Sequence, residues 1–107
     1  MTTAGKLRHR VTLQDNQAPR DSYGAEADNW VDVATVWASV EPLRGREFFA
    51  AQQVNSEVSA RVRIRYRAGV NSAMRVRFGD RIFDIISVID PEERHQELQL
   101  MVREVVR

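Results

Sequence analysis

The sequence contains no cysteine, so disulfides and thiolate metal sites are excluded and a reducing compartment is the natural setting. Histidine is almost as scarce, with His9 and His95 alone. An acid–base or nucleophilic centre normally draws on histidine, cysteine or a clustered carboxylate pair. His9 lies between Arg8 and Arg10, and His95 lies in a charged turn. Both read as exposed bystanders, and two lone histidines without ligand spacing do not make a zinc site. There is neither a glycine-rich phosphate loop nor a Gly-x-Ser-x-Gly elbow. No apolar run approaches the roughly 20 residues that cross a bilayer. No apolar stretch of the signal-peptide kind follows residues 1–6, so no signal peptide is expected. Catalysis and membrane insertion are both poorly served by this chain.

Lysine is nearly missing too. Lys6 is the only one, and the other fifteen of the sixteen basic residues are arginine. Arginine suits bidentate pairing with carboxylate or phosphate, and it suits interfaces; GC-rich coding would produce the same bias. The net charge of +1 weighs against a dedicated nucleic-acid binder, which usually carries a large basic excess. The 107 residues suit one domain, 1–107, and 43% apolar with 29% charged residues is ordinary for a globular chain.

The periodicity is that of strands. Residues 8–14 alternate, with Val11 and Leu13 on one side. Residues 15–29, with Pro19, Gly24 and several acids, read as a long loop, a length that is uncommon in a small domain. Residues 30–40 form a second strand stopped by Pro42, with Val36, Ala38 and Val40 opposite Trp37, Ser39 and Glu41. The segment 43–57 changes period and predicts one short inserted helix, with Leu43, Phe48 and Ala51 on one side.

Residues 58–67 sort most cleanly. Val58, Ala60, Val62, Ile64 and Tyr66 face one way, and Ser59, Arg61, Arg63, Arg65 and Arg67 the other. Met74, Val76 and Phe78 then alternate with Arg75 and Arg77, and Gly79-Asp80 marks a hairpin. Residues 81–89 are apolar on nearly both faces, so a central strand covered on both sides is expected. Asp90, Glu92 and Glu93 form a solvated acidic turn, without the glycine and spacing of a calcium loop. A last strand follows over 97–106, with Leu98, Leu100 and Val102 inside. The fold expected is all-β: a small antiparallel β-barrel or sandwich of about six strands with one short inserted helix.

Two features carry functional information. Arg61, Arg63, Arg65 and Arg67 project from one face, and Arg75 and Arg77 are expected to extend that stripe. Like charges so dense repel unless answered by carboxylates of the domain, by carboxylates of a neighbouring subunit, or by phosphates. On the helix, Arg46 and Glu47 precede Phe48-Phe49, and adjacent aromatics point about 100° apart. Either one is core and the other an exposed anchor, or both are partly buried; Arg46, Glu47, Phe48 and Phe49 make a candidate protein interface.

In order and spacing the chain resembles the small head-closure proteins of tailed bacteriophages and gene-transfer particles, also called head–tail joining or stopper proteins. The resemblance rests on Gly5-Lys6-Leu7-Arg8-His9-Arg10-Val11, on Tyr23-Gly24 and Trp30, and on Val36-Trp37-Ala38-Ser39-Val40-Glu41-Pro42-Leu43. It continues through Gly45-Arg46-Glu47, Arg63-Ile64-Arg65-Tyr66-Arg67, Met74-Arg75-Val76, Phe83-Asp84-Ile85 and Val88-Ile89-Asp90. The resemblance implies a small β-barrel with an inserted loop or helix, no enzymatic activity and no cofactor. It implies a sixfold or twelvefold ring in the head–tail neck of the virion, assembled in the bacterial cytoplasm. The partners implied are other copies of the chain, portal or adaptor proteins, the tail terminator or tail tube protein, and packaged double-stranded DNA in the channel; no membrane is involved. The insertion 43–57 would reach a neighbouring subunit or the channel. The competing reading is a small β-barrel that binds nucleic acid non-specifically through its arginine face. That reading needs aromatics among the arginines, and Tyr66 is expected on the opposite face.

Overall fold

The computed structural model describes residues 7–17 and 29–105. Among them are strands β1 (His9–Asn16), β2 (Trp30–Pro42), β3 (Ala60–Arg65), β4 (Arg75–Phe78), β5 (Arg81–Ile89) and β6 (Glu97–Glu104), with helix α1 (Gly45–Val54) between β2 and β3. The strands close into an antiparallel barrel in the order β1-β2-β3-β6-β5-β4. β4 returns to β1 through the pairs Thr12–Arg77, Leu13–Val76 and Gln14–Arg75. Closure confines the open sheet edge among the described residues to places where a strand overhangs its neighbour, as Trp30–Trp37 of β2 overhangs β3.

Period-2 alternation sets the inside. Val62 and Ile64 of β3, Val76 of β4, Phe83 of β5 and Leu100 and Val102 of β6 are wholly inaccessible to water. Their outward neighbours are polar or partly exposed, except Ile82, which is buried. At the β4–β5 turn only the first of two loop residues, Gly79, takes a left-handed φ of +59°. That is the place a II′ hairpin reserves for glycine.

Several expectations are corrected. β1 runs on through Asp15 and Asn16, the first residues of the expected loop 15–29, and Gln17 N–H bonds to Asn29 C=O at 3.0 Å. Most of that loop, 18–28, lies outside the described residues. β3 ends at Arg65, two residues short of the expected end. Tyr66 does not join the inner face: its N–H bonds to Gln96 C=O, and its exposed ring lies 4.6 Å from that of His95. β5 is not covered on both sides along its length. A bulge leaves Ile86 unpaired between Ile85–Val102 and Ser87–Met101. The phase therefore flips, and Ile89 comes out 43% exposed on the outer face. A second bulge leaves Val33 unpaired on β2.

The turn into β6 is held in an unusual shape. Glu92, Glu93 and His95 all have φ near +55°. Asp90 holds this turn by accepting the His95 N–H at 3.1 Å and contacting its ring Nδ1.

Candidate functional site

The six arginines do not form one stripe. In the barrel order β3 and β4 are three strands apart in either direction, so Arg75 and Arg77 sit on the opposite side from Arg61, Arg63 and Arg65. Sequence shows which face a residue takes, but closure decides which strands adjoin. The nine-residue connection 66–74 was the available signal, being long for a tight hairpin.

The two groups are also answered differently. On β3, Arg61 donates to Glu47 at 2.8 Å and lies 3.6 Å from Glu41. Arg63 lies 3.3 Å from the same Glu41, which also accepts a 2.7 Å bond from the Ser39 hydroxyl. Across the barrel, Arg75 donates to Gln14 at 2.8 Å and stacks 4.1 Å from the Trp30 ring, while Arg77 lies 3.7 Å from Asp32. Arg65 and Arg67 are exposed and make no ion pair with any described residue. Of the three arginines on β3, Arg61 and Arg63 are thus neutralised at home, whereas Arg65, like Arg67 beyond the strand end, is not.

Beside Arg65 stands a residue that was not singled out from sequence. Trp37 of β2 is 51% exposed on the outer face. It pairs with Arg10 of β1, whose guanidinium lies 4.9 Å from the ring centre. On its other flank Ala38 pairs with Ile64, so the next outward residues of the two strands are Trp37 and Arg65. The arginine face therefore does carry an aromatic. The alternation of residues 36–41 set Trp37 on the face opposite Val36, Ala38 and Val40; the missing link was that β2 pairs with β3. His9 packs its ring 4.9 Å from Phe78 nearby.

Helix α1 stands off from the barrel. None of its residues is buried, and it starts at Arg44 without a side-chain cap. Phe49 is 68% exposed and Phe48 half-buried, their rings 5.8 Å apart edge to face. The two aromatics thus differ in exposure, but neither enters the core. Buried Leu43, the Glu47–Arg61 pair and a bond from the Gln52 amide to Val58 C=O tether the helix. Between α1 and the outer face of β3, β6 and β5 runs a groove of about 600 Å³, with Ala50, Ala51 and Val54 on one wall and Val58, Ile86, Ile89 and Met101 on the other. The β5 bulge is what turns Ile89 toward it, whereas Ile86 faces outward by simple alternation after Ile85. Arg46 is exposed on the first turn.

One ion pair has a readable pH dependence. Arg81 donates to both carboxylate oxygens of Glu104, at 2.9 and 3.0 Å. Those bonds hold the Glu104 carboxyl below its ordinary range. A carboxylate depressed on folding stabilises the fold fully above its unfolded pKa and loses that contribution as pH falls through the folded one. Glu104→Gln should therefore lower the melting temperature slightly at neutral pH, with the difference from the parent vanishing well below about pH 4. Both side chains are largely in water, so added salt should shrink the effect. A difference persisting at about pH 2 in thermal melts would assign it to packing instead.

Comparison with known proteins adds the following. A family model described as phage head completion protein matches residues 2–105. Head completion protein gp7 of Enterobacteria phage HK97 is 28% identical over 72 residues, which cover 67% of this chain and 64% of that protein, a little under two-thirds of its length. Protein SF1141 of Shigella flexneri 2a has the same fold, with TM-score 0.76 and 28% identity over 99% of both chains. A chain in the virion of a native gene transfer agent particle also shares the fold, with TM-score 0.65 and 22% identity over 94% of this chain and 97% of that one.

Proposed function

The chain belongs to the phage head completion protein family, structural proteins of the phage virion, and on that premise we propose that it is a connector in the neck of a tailed phage or phage-like particle. Copies form a ring between the portal or adaptor on the head side and the tail terminator or tail tube on the other. The ring closes the filled head and helps retain the DNA. It has no catalytic role.

The observation that carries this reading is the extent of the family match, residues 2–105, which takes in every strand of the barrel and α1. Two surfaces fit a connector. One is α1 with Arg46, Glu47, Phe48 and Phe49, an exposed helix bordering an apolar groove. The other is the end of the β3 face, where Arg65 and Arg67 await a partner from outside the domain. Arg61, Arg63, Arg75 and Arg77 act chiefly within the domain, through the contacts described above.

A cryo-EM reconstruction of particles from cells expressing the chain tests the proposal. Density for several copies of the barrel in a ring at the head–tail junction is expected. Density elsewhere in the particle, or none, would sink it.

A further inference from the structure

We propose that the outer face around Trp37 docks an acidic protein surface belonging to a different component of the particle. This rests on the functional reading above and names one of its contacts. Trp37 is half in water on a rigid, paired strand. Large aromatics left so exposed gain the most when a partner covers them. Arg10 lies over its ring from β1, Arg65 flanks it from β3, and exposed Arg8 precedes Arg10 by two residues. None of these three makes an ion pair with a described residue. Glu97, across from Arg65 in register, is buried and makes contacts of its own. Two residues along β3, by contrast, Arg63 already has Glu41. The domain therefore neutralises one part of this face and leaves a cationic, aromatic part beside it.

Charge complementarity points to an anionic partner, and three observations select its kind. Tryptophan and arginine together are the residues that dominate energy at protein interfaces. Arg10 already occupies part of the stacking surface that a nucleic-acid base would need, and Trp37 stands on the convex outer wall of the barrel. A net charge of +1 supplies little long-range attraction for a polyanion. A second copy is the poorer source of the acids: of the described carboxylates, Asp32, Glu41, Glu47, Glu57, Asp84, Asp90, Glu92 and Glu104 already have a cationic or histidine partner within their own domain, which leaves Asp15, Asp80 and Glu93 without an ion pair to a described residue. Arginine forks meeting carboxylates give orientation as well as attraction.

The test is site-specific photo-crosslinking in assembled particles, with Trp37→p-benzoylphenylalanine in the full chain and mass spectrometry of the product. The same amino acid at Thr35, an exposed outward position on β2, gives a second placement should the first disturb folding. The expected product joins this chain to an Asp/Glu-rich peptide of another particle protein. Adding Arg65→Glu should reduce its yield about tenfold or more. A crosslink to another copy of the chain, a crosslink to DNA, or no crosslink from either position in particles that contain the chain would overturn the docking while leaving the connector reading intact. Particles lacking the chain altogether would overturn the connector reading, and the docking with it.

Discussion

Replacing Ile85 with aspartate is expected to leave no folded domain. Ile85 is 3% exposed and pairs with Val102, which is fully buried, immediately before the β5 bulge. The aspartate would lose the packing of a whole aliphatic side chain and carry a carboxylate into the barrel. No described cation faces that interior, whose surroundings are Val, Leu, Ile, Phe, Met and Ala. Burying an unpaired charge costs several kcal/mol even after relaxation, and losing a core Ile side chain adds about 2–5 kcal/mol. A domain of this size has only about 5–15 kcal/mol in all. Circular dichroism and thermal melting should show no cooperative transition. Ile85→Val, which removes one methylene, should melt cooperatively with a loss of about 0.5–1.5 kcal/mol. If Ile85→Asp melted cooperatively near the parent, β5 would not be the wall of the core.

The second large effect is expected in assembly. Reversing Arg65 and Arg67 to glutamate alters exposed side chains without ion pairs among the described residues. Such surface changes usually move stability by about 0.5 kcal/mol or less. Arg65 stands across from Glu97, so reversal adds one like-charge pair, at most about 1 kcal/mol. The melting temperature should fall by no more than about 8 °C. Particle yield should fall at least about tenfold, because reversed charge against the surface these arginines meet costs several kcal/mol in association. Arg63→Glu is the instructive contrast. It would set a carboxylate beside Glu41, now 3.3 Å from the Arg63 guanidinium, and should weaken the fold itself. Melting temperature and particle titre measured side by side separate the two cases. Normal titre from the Arg65, Arg67 double variant would remove both residues from any interface.

The legible part of this fold was whatever depends on one strand at a time. Residues 81–89 were read with the bounds that β5 has, and the inner faces of β3 and β6 followed from alternation alone. What escaped depends on pairs of strands. A bulge is a mismatch between two partners, so the turning of Ile89 to the outside had no signature within β5. The arginine stripe failed for the same reason. Arg75 and Arg77 alternate as Arg63 and Arg65 do, yet β4 pairs with β1 and β5 rather than with β3. Trp37 was set opposite Val36, Ala38 and Val40 but had no neighbours until β2 was set between β1 and β3. That Phe48 and Phe49 point apart could be stated from their spacing, whereas which of them is the more exposed could not.

The way α1 is held has a consequence for the order of events. A ten-residue helix is marginal in water on its own. With no residue buried and few tethers, it shares little of the barrel's cooperativity, so it should open and close many times for each global unfolding event. Its amide protons should therefore exchange far sooner than those of β3. In an assembling particle the helix can become fully ordered last, against a neighbour. The entropy of fixing it is then charged to association rather than to folding, which weakens a chance encounter and leaves the bound state favoured only when the whole surface engages.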